Sequence, residues 1–289
     1  MIPASFEYHR ATSLNDAAKV LAKHQHEAKV LAGGHSLLPM MRLRLAVPHL
    51  VVDIGGLGDL RYVKRNKKHL TIGALTTHAA VASSAEVYAG HRGLAEAAAS
   101  IGDVQVRNCG TFGGSLAHAD PAADYPAALL AFDGEVVVKS AKGARTIPAF
   151  KFFTGLLSTD LAPDELITEI RLPDAGGAGS AYEKFEQPAS GFAIVGVCAV
   201  VELDKKGKCK RAHFAATGVA DRPVRLSSLE TELRDKAWSA ETLQAACAKA
   251  DGDLKDVRED LYARADYRRH LLRVISRRAA ERAASFSKK

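Results

Sequence analysis

The sequence predicts an α+β protein built from two domains. At 289 residues the chain is long enough to bury two hydrophobic cores. A stretch rich in proline and glycine at 173–179 is its strongest linker signal. Beyond this linker, runs typical of strands come first and runs typical of helices follow, an order that favours an α+β domain. We therefore place one domain at 1–173, with subdomains of about 1–54 and 55–173, and a second domain at 178–285.

The first subdomain is predicted to begin with a helix and continue into a strand. Ser13 can cap the helix, and Leu14 and Leu21 belong to its apolar face. Short strands follow at 28–32 and 49–54, before a glycine-rich turn. This pattern predicts a small unit of helix, strand, turn and strand.

The second subdomain has a different predicted pattern, in which segments typical of hairpin strands lie before and after helical segments. Its strands are predicted at 60–64, 69–72, 135–140, 143–147 and 165–172, and its helices at 76–84, 91–100 and 148–154. The C-terminal domain is predicted to have strands at 180–185, 195–203 and 209–218 and helices at 227–235, 239–250 and 266–285.

The last predicted helix carries an excess of arginine opposite an apolar face. Its basic residues, with those just before and after it, are Arg264, Arg268, Arg269, Arg273, Arg277, Arg278, Arg282, Lys288 and Lys289. A solvated face or a subunit contact is favoured over nucleic acid, because no DNA-binding motif accompanies it and aromatic residues make up only 6% of the chain.

The composition excludes several other classes of protein. No apolar stretch approaches the length of a membrane span, and the first residues lack the pattern of a signal peptide. The four cysteines form no Cys-x-x-Cys pair, which argues against a disulfide framework and against zinc or iron–sulfur ligation. We expect a cytoplasmic protein, with peripheral association at the inner face of the membrane as an open alternative.

Two glycine pairs, Gly33-Gly34 and Gly113-Gly114, stand about eighty residues apart, and each has Ser or Thr beside it. Glycine reaches positive φ and lacks the Cβ atom that would block a closely approaching ligand. Successive N–H groups at such turns can form a concavity that suits phosphate oxygens. One pair usually does no more than turn the chain. Two pairs with neighbouring hydroxyls predict the two sides of a diphosphate site, and therefore a bound dinucleotide.

With both turns identified, the chain resembles the FAD-binding medium subunit of the molybdenum hydroxylases, the xanthine dehydrogenase and carbon monoxide dehydrogenase group. The resemblance extends over 1–285. It rests on Leu31–Pro39, Val104–Ser115, Asp120–Pro126, Tyr182–Phe185, Gln187–Ala193, Ala265–Arg268 and Arg277–Ala279.

The resemblance implies an FAD-binding domain of the PCMH (vanillyl-alcohol-oxidase-like) type in two α/β subdomains. A three-stranded antiparallel sheet with helices follows, as in the CO-dehydrogenase-flavoprotein C-terminal domain. It assigns FAD contacts to Ala32, Gly33, Gly34, His35, Ser36, Leu37, Ile101, Gly102, Thr111, Gly113, Gly114, Ser115, Asp124, Ile167 and Lys184. The two loops hold the diphosphate, Asp124 accepts a hydrogen bond from a ribose or ribityl hydroxyl, and Lys184 lies near the polar edge of the flavin.

Ordinary structural roles stand beside these assignments. Asp124 could simply cap the helix that follows it, and Lys184 could be a solvated lysine. His35 is expected to hydrogen-bond its own loop rather than act in catalysis. Arg107 could neutralise a phosphate or pair with an acid elsewhere.

Two positions depart from the family pattern. Ser115 stands where many relatives carry Asn, which keeps a phosphate contact but removes a side-chain amide. Phe192 lies in Ser-Gly-Phe-Ala, where the branch that oxidises carbon monoxide tends to read Gly-Asp-Tyr-Ala. Its ring could still pack on the flavin, but the change weakens the case for carbon monoxide as the substrate.

The resemblance implies an oxidoreductase: the FAD-carrying electron-transfer subunit of a multi-subunit molybdenum hydroxylase, with no catalytic or metal-binding residues of its own. A separate molybdopterin subunit would oxidise the substrate (CO, an aldehyde, a purine or another N-heterocycle), and a small subunit would carry [2Fe–2S] clusters. The assembly would be a dimer of heterotrimers that reduces a quinone or NAD. Two alternatives remain at this stage: a self-contained flavin oxidase of the same fold, and a basic adaptor without redox activity.

Overall fold

In the computed structural model, which describes residues 2–288, helices and sheets follow one another along the chain in three units. This confirms the α+β class. Met1, and the Lys289 of the predicted basic tail, lie outside the described residues.

The first unit is a three-stranded parallel sheet in the order β1–β3–β2, with a helix packed against it. Its elements are β1 (Glu7–Arg10), α1 (Leu14–His24), β2 (Ala28–Leu31), α2 (Leu37–Arg42) and β3 (Leu50–Asp53). The Ser13 hydroxyl caps α1 by accepting the Asp16 N–H at 3.1 Å, as the sequence predicted. Ala17 and Leu21 bury the apolar face of α1 beside Val52 of the sheet.

The second unit is a five-stranded antiparallel sheet in the order β4–β5–β10–β6–β7. Its strands are β4 (Val63–Arg65), β5 (His69–Gly73), β6 (Glu135–Ser140), β7 (Gly143–Pro148), β8 (Phe153–Gly155), β9 (Ser158–Thr159) and β10 (Leu166–Pro173), with β8 and β9 paired separately. Its helices are α3 (His78–Ser83), α4 (Ala85–Tyr88), α5 (Arg92–Ala99), α6 (Val104–Cys109), α7 (Phe112–His118), α8 (Tyr125–Ala131) and α9 (Ala149–Phe152).

The third unit is an antiparallel sheet in the order β11–β12–β13–β14, covered by helices. Its elements are β11 (Gly179–Glu186), β12 (Ala193–Leu203), β13 (Cys209–Thr217), β14 (Val224–Arg225), α10 (Ser227–Leu233), α11 (Ala240–Cys247) and α12 (Ala265–Ser285). The two-residue β14 adds a short fourth strand to the predicted three. Every residue of α8 is buried, and this helix packs on β12 and β13. The second unit therefore shares its core with the third.

Helices α6 and α7 occupy the segment that the sequence marked as the second flavin loop. Their N-termini are set by side chains, because Asp103 accepts the Val106 N–H at 2.8 Å and Thr111 accepts the Gly114 N–H at 3.2 Å. The helices span six and seven residues. Elements of that length show too few turns for hydrophobic periodicity to reveal them.

The arginine face of α12 is not uniformly exposed. Arg268 is only 2% exposed, and its guanidinium donates to the Ile194 and Gly218 carbonyls at 2.6 and 2.8 Å and to Asp260 at 2.5 Å. Arg273 pairs with Asp251, and Arg277 pairs with Glu281. The expectation of a free basic face is therefore wrong for Arg268, which holds the helix to the chain's own sheet.

None of the helices described within residues 2–288 is both long and apolar enough to cross a bilayer.

Candidate functional site

A cavity of about 550 Å³ lies between the two glycine turns. Its volume is within the range of small-molecule and cofactor sites. All the predicted FAD contacts except Lys184 line this cavity: Ala32, Gly33, Gly34, His35, Ser36, Leu37, Ile101, Gly102, Thr111, Gly113, Gly114, Ser115, Asp124 and Ile167. Segments far apart in sequence thus converge where the sequence predicted a single site.

At Gly33 the first turn packs against the backbone of the segment that leads into the second turn. A Cβ atom built on Gly33 would lie 2.2 Å from the Cys109 carbonyl oxygen and 2.8 Å from the Gly110 Cα. The positive φ expected of this turn is found at the next residue, Gly34, at +74°. Glycine is therefore required at the first position by close approach and at the second by conformation.

The first turn keeps its donors free. Among residues 2–288, no acceptor is found for the backbone N–H groups of 33–36, between β2 and α2. The turn is half-exposed toward the cavity. Successive free N–H groups on one turn form a site that suits an anionic oxygen.

The second turn differs from this expectation, because its amides are already used. Phe112 N–H donates to the Thr76 carbonyl at 2.9 Å, Gly113 N–H to the Ala74 carbonyl at 2.8 Å, and Gly114 N–H to the Thr111 hydroxyl. Thr111 and Ser115 line the cavity on this side, so the donors that remain for a ligand here are their hydroxyls rather than backbone amides. The two sides of the site are chemically unequal.

The side chains of His35 and Arg107 form hydrogen bonds with backbone carbonyls near the cavity. His35 Nδ1 lies 2.8 Å from the Gly33 carbonyl, and since a carbonyl only accepts, Nδ1 carries the proton. The expected loop-bonding role of His35 is thus the one its geometry shows. Arg107 makes no ion pair with an acid among the described residues; one of its guanidinium nitrogens donates to the Ile101 and Gly102 carbonyls at 2.9 and 2.8 Å.

Asp124 is buried at the start of α8, and its side chain makes no capping hydrogen bond there. One carboxylate oxygen, Oδ1, accepts from the Tyr182 hydroxyl at 2.6 Å and faces Lys184 Nζ at 3.1 Å. Burial raises the pKa of Asp124 to about 6, although Lys184 acts in the opposite direction. The helix-capping alternative is therefore not what this carboxyl does.

Lys184 is 5% exposed and is not a solvated lysine. Besides Asp124, its ammonium donates to the Ser100 and Gly191 carbonyls, both at 2.7 Å. It does not line the cavity itself. Its contact with the site passes through Asp124 and through the loop that contains Gly191.

Other residues line the cavity besides the predicted contacts. Ser190, Gly191 and Phe192, which lie in a segment that carries the family resemblance, form a wall contributed by the third unit. Leu157, Leu161 and Leu166, which carry no signal in the sequence, add apolar surface from the second. Only the fold brings these segments to the cavity. His78 also lines it, and the only signal was its position at the start of a predicted helix.

His78 and His91 are both buried, and burial lowers the pKa of each to about 4. His78 Nδ1 lies 3.1 Å from the Tyr125 hydroxyl. His91 Nε2 donates to the Pro173 carbonyl at 2.9 Å, and its ring packs on Phe132. Both imidazoles are therefore neutral at neutral pH.

These two histidines predict a loss of stability in mild acid. A group with a depressed folded pKa binds more protons when unfolded, so its contribution is lost as the pH falls from about 6.5 toward 4. Changing His91 to Gln keeps a donor for the Pro173 carbonyl but removes the imidazole that takes up a proton when the chain unfolds in mild acid. Between pH 7.5 and 5, this variant should lose about 2 kcal/mol less unfolding free energy than the wild type.

Urea unfolding at the two pH values measures this difference. The Asp124 carboxyl, whose pKa is raised, acts in the opposite direction, but it is common to both proteins and cancels. His26→Gln, at an exposed position, should keep the wild-type pH dependence. If the His91→Gln variant loses as much unfolding free energy between pH 7.5 and 5 as the wild type does, then His91 does not take up a proton on unfolding.

The cavity has the features that an FAD site needs. It offers a row of free amides, hydroxyl-bearing side chains that include Thr111 and Ser115, the Asp124 carboxyl and apolar walls, and it closes around glycines that leave no room for a side chain. Within residues 2–288, no three His, Cys, Asp or Glu side chains lie close enough together to bind a metal ion.

Comparison with known families agrees with this site. Residues 4–175 match the family described as "FAD binding domain in molybdopterin dehydrogenase", and residues 180–283 match "CO dehydrogenase flavoprotein C-terminal domain". The fold and the site thus define an FAD-binding dehydrogenase flavoprotein. The chain belongs to the family of FAD-binding medium subunits of the molybdenum hydroxylases, the carbon monoxide dehydrogenase and xanthine dehydrogenase group.

Similar proteins span the whole chain. The carbon monoxide dehydrogenase medium chain of Hydrogenophaga pseudoflava is 40% identical over 280 residues, 96% of this chain and 97% of the relative. The 6-hydroxypseudooxynicotine dehydrogenase complex subunit alpha of Paenarthrobacter nicotinovorans is 36% identical, over 98% of this chain and 96% of the relative. A solved structure of the H. pseudoflava carbon monoxide dehydrogenase matches with a TM-score of 0.95 at 39% identity and covers 100% of both chains.

Proposed function

We propose that this chain is the FAD-carrying electron-transfer subunit of a multi-subunit molybdenum hydroxylase. The observation that carries the proposal is the convergence of both glycine turns and Asp124 on one cavity. FAD suits an electron-transfer station because it exchanges electrons singly or in pairs. The chain's own part is to bind this cofactor, orient it and exclude water.

Within this proposal, the free amides at 33–36 hold the diphosphate oxygens, and the hydroxyls of Thr111 and Ser115 donate from the other side. Asp124 accepts a hydrogen bond from a ribose or ribityl hydroxyl through the oxygen that Lys184 and Tyr182 leave free. Ile101 and Ile167 supply apolar contact. Lys184 acts behind Asp124, as a fixed positive charge near the polar edge of the cofactor.

We further propose that the substrate is oxidised on a separate molybdopterin subunit and that [2Fe–2S] clusters on a small subunit deliver the electrons. The scattered cysteines support separate chains, because three of the four are buried in this subunit's own cores. The relatives are named for carbon monoxide, 6-hydroxypseudooxynicotine and glyceraldehyde dehydrogenases, so the substrate varies in proteins that share this subunit. A quinone or NAD as acceptor, a dimer of heterotrimers, and domains at 1–173 and 178–285 complete the proposal.

The first test is whether the chain holds one FAD without a covalent bond. The purified protein should show flavin absorbance, and acid precipitation should release all of the yellow colour into the supernatant, because hydrogen bonds and apolar contacts are lost on unfolding. A precipitate that stays yellow would show a covalent link, for which His35, His78 and His118 are the nearest imidazoles around the cavity. A colourless native protein that fails to take up added FAD would contradict the proposed function.

Co-purification separates this proposal from the two alternatives. Iron–sulfur and molybdenum subunits should accompany a tagged chain expressed with its neighbouring genes. A self-contained flavin oxidase would carry FAD and turn over a substrate alone, and a basic adaptor would carry no flavin. The pairing of Arg268 and Arg273 inside the chain gives the adaptor alternative little support.

A further inference from the structure

The imidazole of His78 lies in the wall of the cavity, at the start of α3. Only 5% of the residue is exposed, and it lines the cavity. Its backbone N–H donates to the Gly110 carbonyl at 3.0 Å, and the preceding Thr77 forms an antiparallel bridge with Thr111 of the second turn. The ring is therefore fixed beside the segment where the first turn packs against the approach to the second.

The two ring nitrogens of His78 have different surroundings. Nδ1 lies 3.1 Å from the hydroxyl of Tyr125, a residue that is fully buried. Nε2 makes no hydrogen bond with any residue in 2–288, and unlike Nδ1 of His91 it is not a buried atom without a partner. Nε2 is therefore open to the cavity that His78 lines.

The Tyr125 hydroxyl determines which nitrogen of His78 carries the proton. Within residues 2–288, His78 is the only hydrogen-bonding partner of this hydroxyl, so the O–H donates to Nδ1. The imidazole is neutral at neutral pH, because burial lowers its pKa to about 4. A neutral imidazole that accepts at Nδ1 carries its single proton on Nε2. The side chain thus presents an N–H donor to the cavity.

This donor lies at the same end of the cavity as the first glycine turn, because both pack against Gly110. A Cβ atom built on Gly110 would lie 2.5 Å from His78 Nε2, and one built on Gly33 would lie 2.8 Å from the Gly110 Cα. The Nε2–H group therefore adds a side-chain donor to the free amides of 33–36. Several N–H donors that open on one space suit an anionic oxygen.

We propose that His78 donates a hydrogen bond from Nε2 to an oxygen of the FAD diphosphate. The assignment rests on the proposed function, which supplies the ligand. On the second side of the site, where the backbone amides are already used, His78 contributes an N–H donor. Tyr125 is a positioning residue, since its hydroxyl keeps the proton on the nitrogen that faces the cavity.

Two amide side chains separate the roles of the two nitrogens. Asparagine places its amide near the position of Nδ1, so His78→Asn keeps an acceptor for Tyr125 but has no group in place of Nε2. Glutamine reaches the position of Nε2, so His78→Gln keeps a donor to the cavity but no acceptor for Tyr125. A role in FAD binding and a role confined to the Tyr125 hydrogen bond therefore predict opposite results for the two variants.

Titration of the full-length, flavin-free chain with FAD measures the difference. His78→Asn should bind FAD about 10- to 100-fold more weakly than the wild type, because a hydrogen bond to an anionic oxygen is lost. His78→Gln should stay within about threefold of the wild-type affinity. His26→Asn, at an exposed position, is the control and should bind FAD as the wild type does. Thermal unfolding checks that each variant is folded.

Nuclear magnetic resonance supplies readouts that a merely structural role would not change. In the flavin-free wild type labelled at histidine nitrogen, His78 should show a protonated Nε2 and an unprotonated Nδ1, and added FAD should shift the Nε2 resonance more than the Nδ1 resonance. With FAD at saturating concentration, a phosphorus resonance of the bound diphosphate should differ between the wild type and His78→Asn. The visible absorption bands of the flavin should keep their positions.

Each outcome supports or overturns the proposed contact. Wild-type affinity in His78→Asn, or no better binding in His78→Gln than in His78→Asn, would overturn it. So would a proton on Nδ1 in the wild type, a measurement that stands even if a variant does not fold. Unchanged phosphorus resonances with shifted flavin bands would place the donor at the flavin ring instead. A wild type that binds no FAD would contradict the proposed function as well, whereas the other contrary results leave that function intact.

Discussion

Replacing Gly33 with valine should abolish FAD binding while the protein stays folded. Any Cβ at this position lies within 2.2 Å of the Cys109 carbonyl oxygen, and that neighbour is backbone, so no side chain can rotate away. The two turns would have to separate, and both sides of the site would move. A strain of about 3 kcal/mol corresponds to a loss of about 100-fold or more in affinity.

Flavin content after purification, measured beside circular dichroism of the same sample, tests this result. Gly58→Val is the matched control, because a Cβ there meets no atom within 4 Å. Gly114→Val should also lower FAD content. Its effect should be smaller, since its Cβ meets the Thr111 hydroxyl at 2.7 Å and a hydroxyl can turn. A Gly33 variant with full flavin occupancy would place the cofactor away from this turn.

The second large effect is expected at Arg268. Changing Arg268 to Met leaves the Ile194 and Gly218 carbonyls without their buried donor, and it removes the nearer of the two arginines that face Asp260. An unsatisfied buried acceptor costs about 1–3 kcal/mol, whereas the partly exposed Asp260 keeps other partners. The unfolding free energy measured in urea should fall by at least that amount, because this side chain holds α12 to the start of β12.

Arg277→Met on the same helix is the comparison. Arg277 is exposed and pairs with Glu281 one turn along the helix, so its loss should change stability little. Equal effects of the two substitutions would mean that the hydrogen bonds of Arg268 add nothing beyond those of a surface pair.

The sequence predicted this group of residues from two sources, the unusual glycine pairs and the resemblance to a known family. Gly33-Gly34 and Gly113-Gly114 interrupt apolar segments without an evident local purpose, whereas Asp124 was assigned to the site by the resemblance. Such exceptions to local preference tend to mark functional sites. The predicted residues accordingly came together, although they are separated by up to about 130 positions.

What the sequence could not show depends on partners far along the chain. Arg268 looks like its neighbours on α12, and only the position of Gly218 and Ile194 makes it internal. The amides of the second turn are satisfied by carbonyls at 74 and 76, a pairing that no local pattern encodes. The wall at 190–192 likewise follows from how β11 and β12 are placed.

Because of this wall, the N-terminal domain alone does not contain the whole cofactor cavity. A fragment that ends at the family boundary, residue 175, would lack Ser190, Gly191 and Phe192. It would also lack Lys184 and Tyr182, and so leave the Asp124 carboxyl without either polar partner. Grafting the N-terminal part onto another scaffold would therefore transfer both glycine turns but only part of the wall of the cavity. Recombination that preserves flavin binding has to carry β11 and the start of β12 with it.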